Sequence, residues 1–159
     1  MPLTIAQRSG ERPRTFPRIP HQQLDQNAPT ALQETLWARM IGLPHVSPGP
    51  SGIALPDTRA LHLDPRFARG PEIAFVPTGG TEFAHLHGPG DGSLHLTLPE
   101  ATAAEAISQS WAEPHPIARR GYPPVIVMIY GPRNAAECDT VWHFVTLSYD
   151  FARGTSPSA

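Results

Sequence analysis

"FAHLHGPGDGSLHLTL", residues 83–98, decides the fold. Apolar and polar residues alternate on both sides of a Gly-rich stretch, and a period of two marks a strand with one buried face. A loop from Gly88 to Gly92 joins two such strands into a β-hairpin. Pairing His87 with Ser93 sets His85 opposite His95 and Phe83 opposite Thr97. One face then carries Ala84, Leu86, Leu94, Leu96 and Leu98 and is the core side. The other carries Phe83, His85, His87, Ser93, His95 and Thr97. A one-residue slip would turn every leucine outward, so the pattern fixes the facing. Opposed Cβ atoms stand ~4.5–5.5 Å apart, which gathers three imidazoles on one patch. The plain alternative is the polar outer face of a half-buried hairpin. Packed imidazoles cannot all be protonated cheaply, so at least one stays neutral as a base or a ligand.

Working outward, "EIAFVP" (72–77) reads as a strand before the hairpin, and "GIAL" and "ALHL" read as short extended pieces. "APTALQETLWARMIGL" is a helix capped by Thr30 and ended by Pro44, with Leu32, Leu36, Trp37 and Met40 as its stripe. "LPEATAAEAISQSW" is a second helix. "PPVIVMIY" is a strand buried on both faces. "NAAECDTVWHFVTLSYDFARG" is the longest helix, with Asn134 and Glu137 resembling a capping box and Gly154 as its stop. The expected fold class is α+β: a mostly antiparallel sheet with helices packed on one face, in a single domain. Residues 1–29 read as an extended Pro/Arg-rich arm, 30–154 as the domain and 155–159 as a frayed tail.

Composition narrows the function. The 159 residues carry a formal net charge of -2, and no basic field points to nucleic acid. All twelve basic residues are arginine, which excludes Schiff-base chemistry on a lysine. The single cysteine, Cys138, excludes an intrachain disulfide and a Cys-based zinc site, and reads as a buried small hydrophobe. No run approaches the ~20 apolar residues of a membrane span, and no signal peptide is read, so a cytoplasmic protein without a membrane partner is expected. A small-molecule substrate is expected, and the arm is a candidate route to a homo-oligomer.

Two further stretches carry chemistry. In "SWAEPHPI" (110–117), Pro114 and Pro116 hold His115 extended, beside Trp111 and Glu113. Their bland readings are a core anchor and a solvated loop charge. In "YGPRN" (130–134), Arg133 and the free N–H groups of a helix start suit an oxyanion, with Tyr130 and Asn134 alongside. The bland reading is a turn and a helix cap.

These segments together resemble the fungal luciferase family. Its enzyme has an A-H-x-H…D-x-x-L-H-L hairpin, then G-W-G…H-P-L-A, then Y-A-P-R-N-E-E-E. The matching residues here are Ala84, His85, His87, Asp91, Leu94, His95 and Leu96, then Trp111, His115 and Pro116, then Tyr130, Pro132, Arg133, Asn134 and Glu137. The resemblance spans residues 70–153. Ser110 and Ala112 replace the family's glycines, the hairpin loop differs in composition, and no N-terminal membrane segment is read. The resemblance implies an oxygenase that uses O2 on an electron-rich hydroxypyrone without flavin or nicotinamide.

On that reading His85, His87, His95, His115 and Arg133 are catalytic. Phe83, Asp91, Trp111, Glu113, Tyr130 and Asn134 bind substrate. No cofactor beyond O2 and no metal is expected. The first alternative is a metal enzyme with Zn or Fe on His85, His87 and His95. The second is a non-catalytic small-molecule-binding or interaction domain.

Overall fold

The computed structural model describes residues 5–157. Residues 1–4 of the arm and 158–159 of the tail lie outside the described residues. The strands are β1 (Thr15–Phe16), β2 (Gln22–Gln23), β3 (Val46–Pro50), β4 (Arg59–Leu63), β5 (Glu82–Leu86), β6 (Leu94–Thr97), β7 (Ala112–Pro114) and β8 (Ile126–Ile129). The helices are α1 (Thr30–Ile41), α2 (Glu100–Ser108) and α3 (Ala135–Arg153). Six strands form one sheet in the order β3-β4-β5-β6-β8-β7, antiparallel at every pairing. The fold is α+β, as expected.

The hairpin has the predicted register: Ala84 pairs with Leu96, His85 with His95, and Leu86 with Leu94. Its leucine face joins Leu61, Leu63, Val127 and Ile129 of the neighbouring strands in a core closed by Leu36 and Met40 of α1 and Val141, Phe144 and Val145 of α3. The apolar run of β8 is buried throughout, since strands flank it on both edges and each of its faces is covered. At α3, Asn134 caps by accepting from the Glu137 N–H, and Gly154 closes the end in the left-handed region.

Several local expectations are corrected. Residues 72–77 are not a strand. Pro71 leads into a 3-10 turn at Glu72–Ala74, whose carbonyl at Ala74 accepts from the Thr97 hydroxyl. Thr30 is the first helical residue and not the cap, because Pro29 takes that position without any side-chain hydrogen bond. "GIAL" forms no strand, and the Pro-rich stretch at 46–50 pairs with β4 instead. The arm is bound to the domain. Arg8 N–H donates to Gln109 O, Arg12 donates to Ala112 O, and Trp111 Nε1 donates to Ala6 O. No described helix is long and apolar enough to cross a membrane.

Candidate functional site

Register builds the site. Ala60, His85, His95, Met128 and Glu113 pair in turn across β4, β5, β6, β8 and β7. Alternation sends this row to the face opposite the helices. The arm covers that face, and His85 and His95 are 0% and 3% exposed. Burying such a polar row costs free energy unless every group finds a partner.

One bulge adjusts the row. Leu61 pairs with Ala84 but His62 pairs with Glu82, which leaves Phe83 as the extra residue of β5. Phe83 therefore turns into the core toward Tyr149 and does not wall the histidine face, which corrects its assignment to substrate. Glu82 takes its place, with Oε2 2.8 Å from His85 Nδ1. Ser51 and the Gly52 N–H also donate to the Glu82 carboxylate.

Each imidazole is tied from behind. His87 Nδ1 lies 2.8 Å from Ser93 Oγ, which itself donates to Asp91 Oδ1. His95 Nε2 lies 2.8 Å from Nδ1 of His21, whose Nε2 lies 2.9 Å from Glu113 Oε2. Glu113 also accepts from the Thr15 and Tyr130 hydroxyls. In front, His95 Nδ1 stands 3.1 Å from His85 Nε2 and 3.0 Å from His87 Nε2. His115 packs edge-on against His95 with ring centroids 4.7 Å apart, and its Nδ1 accepts the Ile117 N–H. Two sets, His85/His87/His95 and His21/His95/His115, are grouped closely enough to hold a metal ion.

Burial first, and neighbouring imidazoles next, push the His95 pKa well below its ordinary value. Burial likewise lowers His85, against the pull of Glu82, and takes His115 to about 4. Burial, the largest single influence, works to raise Glu82, Asp91 and Glu113, but hydrogen bonds from their histidine partners, from neighbouring hydroxyls and backbone N–H groups, and the histidine charge together hold all three below the usual carboxylate range.

The face opens into a cavity of about 650 Å³. His21, His85, His87, His95 and His115 line one side; Ile19, Leu24, Ile53, Leu55, Ile117 and Ile126 supply apolar wall. No arginine lines it among the described residues.

Four of the predicted catalytic residues thus meet, and Arg133 does not. Its guanidinium is held by the Glu137 carboxylate one helical turn on, at 2.6–3.2 Å, and by Ser9 O. Asn134 is spent on the helix cap. Trp111 is a core anchor, buried and hydrogen-bonded to the arm. Asp91, Glu113 and Tyr130 support the histidines from behind, and Asp91 also reaches the cavity wall. Sequence reasoning missed His21 and Glu82. A lone histidine in "RIPHQQ" carries no periodic signal, and a regular strand would have put Glu82 and His85 on opposite faces.

Residues 80–148 match the family model described as Luciferase domain. The luciferase of Armillaria gallica is 34% identical over 73 residues, 44% of this chain and 27% of that protein. The luciferase of Neonothopanus nambi is 33% identical over the same shares. A catalase-peroxidase of Caulobacter vibrioides is 37% identical over 105 residues, 60% of this chain but 14% of that protein. The chain spans about a quarter of the length of the luciferases it matches. No solved structure matches it. The resemblance to fungal luciferases holds over residues 80–148, which contain His85, His87, His95 and His115 but not His21.

Proposed function

We propose that this chain is a luciferase-type oxygenase that reacts a small, electron-rich oxygenated ring, such as a hydroxypyrone, with O2. The observation that carries the reading is the convergence of His85, His87, His95 and His115 on one side of an otherwise largely apolar cavity. All four lie in the stretch that matches the luciferase domain.

The reaction class asks for three things. The ring enol must lose its proton, the resulting anion must be held, and water must be excluded. The apolar wall serves the last. His115 serves the second: with Nδ1 accepting the Ile117 N–H, the neutral ring carries its proton on Nε2 and donates it to an oxyanion. Arg133, tied to Glu137, leaves this role. His85, His87 and His95 serve the first: a neutral imidazole of this group at the cavity wall accepts the enol proton, and the imidazolium it becomes balances the ring anion in place of Arg133. The ring anion gives an electron to O2, and the two recombine as a peroxide on the ring carbon.

Oxygen consumption with a hydroxypyrone tests the reading. Wild type should consume O2 stoichiometrically with the ring, and His85→Ala, His87→Ala and His95→Ala should each lose about 100-fold or more in kcat/KM. Unchanged turnover in all three variants, each folded, would refute it. Saturable binding of the ring with no O2 consumption would favour a non-catalytic binding domain.

A further inference from the structure

We propose that His85 Nε2, His87 Nε2 and His95 Nδ1 are the three protein ligands of a divalent transition ion of the Fe2+ or Zn2+ class, and that His21 and Glu113 are positioning residues for it. The protons and lone pairs of the four imidazoles identify the site, independently of the oxygenase reading.

Each neutral imidazole has one N–H and one lone pair. His85 Nδ1 faces the Glu82 carboxylate at 2.8 Å, so it carries the proton and Nε2 carries the lone pair. His87 Nδ1 faces Ser93 Oγ, whose own hydrogen goes to Asp91, so here too Nδ1 is protonated and Nε2 is not. The third case runs through two rings. Glu113 accepts from His21 Nε2, which leaves a lone pair on His21 Nδ1. That lone pair accepts from His95 Nε2, which leaves the lone pair of His95 on Nδ1. Three lone pairs now meet, His95 Nδ1 at 3.1 Å from His85 Nε2 and 3.0 Å from His87 Nε2, with no hydrogen between them. Bare lone pairs at that range repel; a shared cation turns the contact attractive. Nitrogens each about 2.1 Å from one ion stand roughly 2.9–3.4 Å apart, depending on whether the angle at the metal is square or tetrahedral.

Charge points the same way. Glu82 stands behind His85, Asp91 behind His87, and Glu113 behind His21, which in turn backs His95. Their ion-pair partners among the described residues are these histidines alone. Glu82 and Asp91 are buried and Glu113 is half-buried; buried carboxylates without a cation are costly, and a divalent ion in front of the rings supplies one. A carboxylate or hydroxyl behind each ligating imidazole is also the usual second shell of a metal site. The other possible set, His21/His95/His115, fails the same count. His115 Nδ1 already accepts the Ile117 N–H, and the inward atoms of His21 and His95 already bond each other. Three neutral nitrogen ligands beside an open cavity leave coordination positions free on the substrate side.

The test uses the full chain, stripped with a chelator and titrated with Co2+, whose visible absorption reports its ligands. Metal analysis after expression with added iron and zinc runs beside it. One Co2+ per chain with a ligand-field band, displaced by Zn2+, is expected. His95→Ala and His87→Gln should abolish the band while circular dichroism stays native; two variants guard against one failing to fold. His21→Ala should weaken binding about 10–100-fold, whereas His21→Gln, whose amide oxygen still accepts from His95 Nε2, should restore most of it. A folded wild type that binds no Co2+, or binds it equally after His95→Ala and His87→Gln, overturns the site. Unchanged affinity in His21→Ala overturns the positioning role. Hydroxypyrone turnover by a chain that binds no Co2+ would overturn this proposal alone, and metal binding without turnover would overturn the oxygenase reading alone.

Discussion

The two faces of the β5–β6 hairpin come from alternating residues of the same two strands, yet opposite physics holds them. Ala84, Leu86, Leu94 and Leu96 are buried by non-directional packing against α1 and α3. His85, His87 and His95 are almost as buried, but directional bonds to Glu82, Ser93 and His21 hold them. Packing tolerates a change of shape if volume is kept. A buried polar network does not tolerate loss of one member, because the partner left behind bears its desolvation cost unpaired. The leucine face is therefore where this protein keeps its stability, and the histidine face is where it spends some.

The largest separation of the two faces should come from Leu96→Ala. The side chain is 0% exposed at the centre of the core, and truncation should cost about 2–5 kcal/mol. At roughly 2–4 °C per kcal/mol for a chain of this size, thermal melts should drop by about 5–20 °C. Turnover per folded molecule should change little at a temperature well below the melt. A Leu96→Ala chain that melts normally but has lost turnover would erase the division of labour.

The facing of this hairpin was legible in sequence because Leu86, Leu94 and Leu96 leave only one register that buries them. His115 was legible because Pro114 and Pro116 fix its backbone. What was not legible depends on contacts between distant segments. His21 meets Glu113 across 92 residues of chain, and no local pattern encodes that meeting. Phe83 misleads because a bulge, set by the pairing of β4 with β5, inverts its side after the alternation has been read. Arg133 resembles an anion ligand in "YGPRN", but it lies just before the Asn134 cap, where Glu137 of the first turn of α3 reaches back and accepts from its N–H and guanidinium.

A smaller effect should separate the faces by pH. His85, His95 and His115 have pKa values lowered in the fold, below an ordinary value of 6.5. As pH falls through 6.5 the unfolded chain takes up protons that the folded chain refuses, so unfolding is favoured. The loss should continue to about pH 4, where His115 itself protonates. Glu82, Asp91 and Glu113, also lowered, add a further loss below the ordinary carboxylate range. Melts of the chelator-treated chain from pH 8 to pH 4 should fall steadily below pH 6.5. The leucine face has no titrating group, so Leu96→Ala should shift the whole curve down without changing its slope. A flat profile would mean that the histidines are not buried neutral.

The smallest effect should come from Arg133→Ala, and its smallness is the point. Arg133 matches the family motif as well as His115 does, and a reading by motif alone would expect a catalytic loss. By position it belongs to neither face of the hairpin. Its guanidinium joins the arm to the start of α3 through Ser9 and Glu137, and it does not line the cavity. After truncation the Glu137 carboxylate keeps the residue-133 N–H as a donor and loses only the side-chain pair. A partly exposed pair of this kind contributes about 1 kcal/mol or less. Melts should therefore fall by only a few degrees, and hydroxypyrone turnover should stay within about threefold of wild type, against the loss of about 100-fold expected for His95→Ala. A loss in Arg133→Ala as large as in His95→Ala would require the guanidinium to leave Glu137 and enter the cavity during the reaction. That would move the charge balancing the ring anion from the histidine face back to the arginine turn.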